Sequence, residues 1–156
     1  TENDRDGCNW IFNGKTYLYT TDWSKATDGP SPEMAWALTG RLLEKCHLDQ
    51  DSLNLIKEYW LGEKKLMYQG KHVGFMRSGI PMGDPMTKTN LSLAHPVCDL
   101  YERLKTGALS KEVGCGDDTA AFTDDPEYAK AHSEAAQMLG YEYSALDDVT
   151  TSDWGT

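Results

Sequence analysis

No stretch of this 156-residue chain approaches the roughly 20 consecutive apolar residues that a bilayer-crossing helix needs, so no membrane segment is expected. Metal-binding cysteine spacing is also missing. Cys8, Cys46, Cys98 and Cys115 stand 38, 52 and 17 positions apart, which excludes the paired CxxC frameworks of zinc fingers and ribbons. Free thiols in a reducing compartment fit better, and Cys46-His47 has no second ligand pair to join it. Basic charge is nearly absent from the last third. Residues 112–156 hold 11 acids and only Lys130, whereas residues 1–111 balance 14 acids with 14 Lys and Arg, and the chain nets −10. Such a surface repels nucleic acid. A nucleic-acid function would need metal ions here, or basic surface from elsewhere; the plain alternative is a solvated acidic face. There is no internal repeat and no low-complexity segment. A composition of 39% hydrophobic and 26% charged residues is globular, and the length suits one domain. Neither a starting Met nor a signal peptide is present, and both ends read as cut from a longer protein.

What is present alternates between strand and helix patterns. Residues 1–9 read as a lead-in. Lys15–Thr21 is β-prone and predicts a strand. Ser31-Pro32-Glu33 is a helix start, and Met34, Leu38 and Leu42 carry the helix to about Cys46. Asp49 or Asp51 caps a second helix with Leu53, Ile56 and Trp60 as its stripe, stopped by Gly62. Leu66–Tyr68 and His72–Met76 predict a hairpin around Gln69-Gly70-Lys71. Arg77–Pro85, with two Gly and two Pro, is a loop. A long helix follows from about Met86, with Leu93, Val97, Leu100 and Leu104 as its apolar stripe and Pro96 expected to kink it. Thr106-Gly107 ends it. Asp125-Pro126 opens a last helix, with Tyr128, Ala131, Ala135 and Met138/Leu139 inward and Gly140 as its stop. Tyr141–Leu146 predicts a final strand, and the rest is a polar tail. The order implies an α+β fold: an antiparallel sheet with helices on one face and the other free for a substrate.

Between two of these strands lies Gly116-Asp117-Asp118. The flanking small and apolar residues make it a tight turn, and Gly116 can supply the positive φ. Two carboxylates forced together are costly unless a cation sits between them, and carboxylate oxygens suit hard divalent ions such as Mg²⁺. Asp22 ends the first strand, Asp28 lies six residues on in a loop, and the Ser78–Thr89 stretch leads from a glycine loop into a helix.

This ordered set resembles the palm of viral RNA-dependent RNA polymerases. The first motif falls at about 17–28, the second at about 78–95, the third at about 112–122 and a partial fourth at about 126–146. Asp22-Trp23-Ser24-Lys25-Ala26-Thr27-Asp28 looks like the family's DLSxATD form. Gly79-Ile80-Pro81-Met82-Gly83-Asp84-Pro85, followed by Thr87-Lys88 and later His95, is similar to the GxPMG form of the narnavirus, mitovirus and ourmia-like group. The resemblance implies a right-hand polymerase palm with a ferredoxin-like antiparallel sheet, spanning 1–156 as a single domain fragment, with fingers and thumb outside it. It implies RNA-directed RNA synthesis for replication of a viral genome: two-metal nucleotidyl transfer from ribonucleoside triphosphates onto an RNA 3′ end. Two Mg²⁺ or Mn²⁺ ions would lie roughly 3.5–4 Å apart. The expected partners are template and nascent RNA, and the expected location is the host cytoplasm, or the mitochondrion for a mitovirus-like protein.

By the same resemblance, Asp22, Asp117 and Asp118 are catalytic and hold the metals, together with the backbone carbonyl of Trp23. Asp28 reads the ribose 2′-hydroxyl, and Thr87 assists. Ser78, Gly79 and Gly83 form a loop that contacts template and the incoming base pair. Asn90 stands one place before the asparagine of many relatives. Relatives also carry a lysine after the fourth motif, and Ser144–Asp148 has none, so the alignment slips there, another group does that job, or this copy is impaired. Without the basic fingers motif, the thumb and the segment that grips the primer, the isolated fragment is expected to be inactive. Plainer readings stand beside these: Asp117-Asp118 as a solvated turn, Asp28 as a helix cap, Ser78–Gly83 as an ordinary connection, and His95 as a packed, hydrogen-bonded histidine. Two other functions compete. One is a two-metal phosphohydrolase using the same acids, and the other a non-catalytic polymerase-derived domain that binds RNA or a partner.

Overall fold

A computed structural model describes residues 16–143. Its order is β1 (Tyr17–Ser24), α1 (Pro32–Lys45), α2 (Gln50–Leu61), β2 (Lys65–Tyr68), β3 (Lys71–Phe75), α3 (Pro85–Thr106), β4 (Ser110–Cys115), β5 (Asp118–Thr123), α4 (Tyr128–Met138) and β6 (Glu142–Tyr143). The expected α+β class is therefore present. A four-stranded antiparallel sheet runs β4-β5-β1-β6, and β2-β3 form a separate hairpin. The lead-in at 1–9, Lys15, Cys8, the Ser144–Leu146 end of the last strand and the polar tail lie outside the described residues.

The helix ends follow their local chemistry. The Ser31 hydroxyl accepts from the Met34 amide at 3.1 Å with Pro32 in the first turn, and Asp49 caps α2 by accepting from Ser52 N. Gly62 closes α2, and Gly107, with φ 76°, closes α3. α3 continues through Pro96, so the proline does not end it.

The sheet alternates as a half-covered sheet must. Tyr19, Thr21 and Trp23 of β1 and Thr119, Ala121 and Thr123 of β5 are buried, while Asp22 and Asp118 point the other way and are exposed. The buried face meets α3 and α4. Trp23 is stacked between His95 of α3, at 3.9 Å between ring centroids, and Tyr141, at 4.1 Å. Tyr19 packs edge-on to Tyr128 of α4 at 5.2 Å. Each such ring pair adds roughly 0.5–1.5 kcal/mol beyond its buried area.

Two expected helix stripes are corrected. In α1 the buried positions are Ala35, Thr39 and Gly40, with Leu42 exposed. In α3, Val97, Leu100 and Leu104 are exposed, and the inward face is Thr87, Asn90, Leu91, Ala94, His95, Cys98, Asp99 and Glu102. That face keeps the helical period but is largely polar, because Thr87, Asn90, His95 and Asp99 make hydrogen bonds to neighbouring elements. A reading by hydrophobicity selects the leucines instead. In α4, Tyr128, Ala131 and Ala135 are inward as expected, but Met138 is exposed.

Candidate active site: an acidic turn over a loop-lined cleft

β1 and β5 pair in a register that sets Asp22 directly opposite Asp118, and β4-β5 pairing sets Asp118 opposite Cys115. Between them, Gly116 and Asp117 make a two-residue turn. Gly116 has φ 72° and Asp117 is not left-handed, as in a II′ hairpin with glycine at its first central position. The turn is tied to β1 by Trp23 N donating to Asp117 O at 3.4 Å. Asp117 sits in the turn, and Asp118 is the strand residue in register with Asp22. All three acids are exposed. Like charges directly opposite in a sheet destabilise it. Carboxylate oxygens suit a hard divalent cation, but among the described residues the group whose ligand atoms already lie close enough to share an ion is a different one, on the covered face.

The turn is held from below by α3, which sequence reasoning did not foresee. The Ser92 hydroxyl accepts from Gly116 N at 2.9 Å, and His95 Nε2–H donates to Gly116 O at 3.0 Å. Both backbone groups of one turn residue are thus anchored by side chains one helical turn apart. Gly114 makes room for this, since a Cβ there would sit 2.7 Å from the His95 ring. Burial, then the neighbouring His132, push His95 down to about 4, so it is neutral near pH 7. The expectation that His95 is packed and hydrogen-bonded holds.

The second loop closes on the first. Gly79 N donates to Pro30 O at 3.0 Å and Ile80 N to Thr27 O at 2.7 Å. Gly79 has φ 81°, and a Cβ on it would lie 2.5 Å from the Thr27 carbonyl, so two backbones touch where only glycine fits. Asp84, which precedes α3, pairs with Lys64 at 2.7 Å. The result is an open cleft of about 670 Å³. Its walls come from three separate stretches: Lys25 and Thr27 after β1, Gly83 and Lys88 around the start of α3, and the turn with Asp117 and Asp118. Lys25 and Lys88 were not singled out in the sequence. Each sits inside a stretch that was, and each brings positive charge to the cleft that holds two of the acids.

The remaining expected residues divide. Gly83, with φ 87°, and Thr87 line the cleft, but the Thr87 hydroxyl is engaged: it donates to Pro81 O at 2.7 Å and accepts from Trp60 Nε1 at 3.2 Å. Asp28 is exposed beside Gly79, and Ser78 is exposed on the same loop. The Trp23 ring is core, which leaves only its backbone for the cleft. Asn90 belongs to the core and not to the substrate surface. It is fully buried, donating to Ala35 O and Thr39 Oγ1 and accepting from the Tyr141 hydroxyl, so it braces α1 against α3.

A second constellation lies on the covered face beneath the turn. His95, Glu112 and His132 have ligand atoms within 4.8 Å of one another, and this buried group could hold a metal ion. His132 Nε2 lies 2.9 Å from Glu112 Oε1, and Thr119 Oγ1 lies 3.0 Å from the same oxygen. The three residues are distant in sequence, so no spacing motif announces them. Among the described residues Cys98 is a buried free thiol, pushed up to about 12 by burial, and Cys46 and Cys115 are free and exposed. No described helix is long and apolar enough to cross a membrane. Comparison with protein-family models and with curated proteins gives no match.

Proposed function

We propose that this chain is the palm of a viral-type RNA-dependent RNA polymerase, working by two-metal nucleotidyl transfer. The observation that carries the reading is the register of Asp22 against Asp118, beside Asp117, at the edge of a cleft walled by the glycine loop. The connectivity supports it as well: β1, helices, β4-β5 hairpin, helix, β6, in sheet order β4-β5-β1-β6, is the ferredoxin-like arrangement that such palms use.

Two Mg²⁺ or Mn²⁺ ions, when bound, activate the primer 3′-oxygen and neutralise the leaving pyrophosphate. The chain's own residues have simpler tasks. Asp22, Asp117 and Asp118 hold the cations, with the Trp23 backbone carbonyl beside them. Ser92 and His95 fix the turn, so the carboxylates need little rearrangement when charge develops. Lys25 and Lys88 stand where a triphosphate in the cleft would meet positive charge. Gly79 and Gly83 let the loop approach a base pair closely, and Thr87 sets the loop's shape through Pro81. Little proton transfer is asked of the protein, and catalysis is positioning plus electrostatics.

Calorimetric titration of this chain with Mn²⁺ and a ribonucleoside triphosphate tests the metal and nucleotide part. Wild type should bind the pair, and Asp22→Asn or Asp118→Asn should weaken binding at least about tenfold, the loss of one charged metal ligand. Equal binding by both variants would remove the acids from the site.

A further inference from the structure

We infer that His95, Glu112 and His132 form a second metal site, a buried structural one that takes a borderline transition ion such as Zn²⁺ and braces the acidic turn from the covered side of the sheet. It does not depend on the polymerase reading. The tautomer of His95 is fixed by its neighbour. Its Nε2 faces the Gly116 carbonyl at 3.0 Å, and a carbonyl can only accept, so Nε2 carries the proton. Nδ1 is then an unprotonated acceptor. It is completely buried, has no hydrogen-bond partner, and lies 3.8 Å from Glu112 Oε1, another acceptor. Two lone pairs facing each other in a dry interior lack a cation between them.

The donor set fits that cation. Two imidazole nitrogens and one carboxylate oxygen are a zinc-type set, unlike the oxygen-only acids on the open face. Tetrahedral ligands at about 2.0 Å from zinc stand roughly 3.3 Å apart. The separations of 3.8 Å for His95 Nδ1–Glu112 Oε1 and 2.9 Å for His132 Nε2–Glu112 Oε1 straddle that distance, and the two histidines, whose ligand atoms lie within 4.8 Å, would draw together as the ion enters. Binding replaces the proton between His132 and Glu112, so the ion is taken up with proton release. The outer arrangement matches as well. A metal-bound histidine usually donates its other N–H to a backbone carbonyl or carboxylate, and here that carbonyl belongs to Gly116, inside the Gly-Asp-Asp turn.

The test is titration of the metal-stripped chain with Zn²⁺ and with Co²⁺, whose visible absorption reports tetrahedral nitrogen–oxygen coordination. One equivalent should bind, with the cobalt spectrum appearing and the thermal midpoint rising by about 5–10 °C at a hundredfold excess over Kd. Glu112→Gln and His132→Gln should each weaken uptake at least tenfold, while the Asp22→Asn, Asp118→Asn double variant should bind zinc as wild type does. No stoichiometric uptake by the wild type would overturn the site without reference to any variant's folding. Loss of zinc in the Asp22–Asp118 variant, with retention in Glu112→Gln, would move the ion to the cleft and equally overturn it.

Discussion

Asp22 and Asp118 are a like-charged cross-strand pair, an arrangement that costs stability unless a cation is present. Asp118→Asn should therefore raise the stability of the metal-free chain by roughly 0.2–1 kcal/mol, read by chemical denaturation in chelator, while weakening Mn²⁺ binding. Gly79 is the opposite case, a residue whose absence of side chain is structural. Gly79→Ala combines a left-handed backbone, costing about 1–2 kcal/mol, with overlap of the Thr27 carbonyl. Denaturation should show a loss above ~2 kcal/mol. At this scale the sequence was informative wherever chemistry is local. Asp22, Gly116, Asp117, Asp118 and the Ser31 and Asp49 caps could be placed because strand ends, turns and caps restrict residue type. Asn90 could not. An asparagine near a motif looks the same in sequence whether it meets a ribose or, as here, Ala35, Thr39 and Tyr141 in the core.

Helix α3 joins the parts at the scale of elements. Its first turn lines the cleft, Ser92 and His95 hold Gly116, and Asp99 accepts from the Tyr128 hydroxyl of α4 at 3.0 Å. Ser92→Ala removes the acceptor of the Gly116 amide. It should cost about 1 kcal/mol and speed hydrogen exchange at that amide selectively, whereas a merely solvent-exposed serine would change neither. The existence of α3 was legible from its periodicity and from Gly107, but its orientation was not. Leu93, Val97, Leu100 and Leu104 share one stripe, and the buried stripe is the polar one next to it. Inward polarity of this kind becomes readable only when its partners on other elements are known, since Asn90, His95 and Asp99 are stabilised by residues distant in sequence. The same reasoning accounts for the missed His95, Glu112 and His132 group.

For the whole molecule, charge and topology decide the behaviour. The excess of acid in residues 112–156 was legible as composition, but its division between an open face carrying Asp117 and Asp118 and a covered face carrying Glu112 followed only from the sheet register. A further buried acid sets a pH dependence. Burial, opposed by a hydrogen bond from Thr106 and reinforced by Asp125 and Asp99, pushes Glu102 up to about 7 from 4.5. The folded state thus favours the protonated form, so this contribution is complete below pH 4.5 and is lost as pH rises through 7. Wild-type stability should fall by at most ~3 kcal/mol across that window from this group, and Glu102→Gln should flatten the profile. The sheet order, the loop-to-loop contact at Gly79 and the cleft all converge on the acids at the β1 and β5 ends, and the central claim is that these acids make RNA. Template-directed ribonucleotide incorporation by the protein that carries this chain, comparing wild type with Asp22→Asn, is the direct measurement. The account predicts a fall of at least about a hundredfold, the scale of losing one preorganised electrostatic group, with the fold retained. Incorporation by Asp22→Asn at the wild-type rate would contradict it.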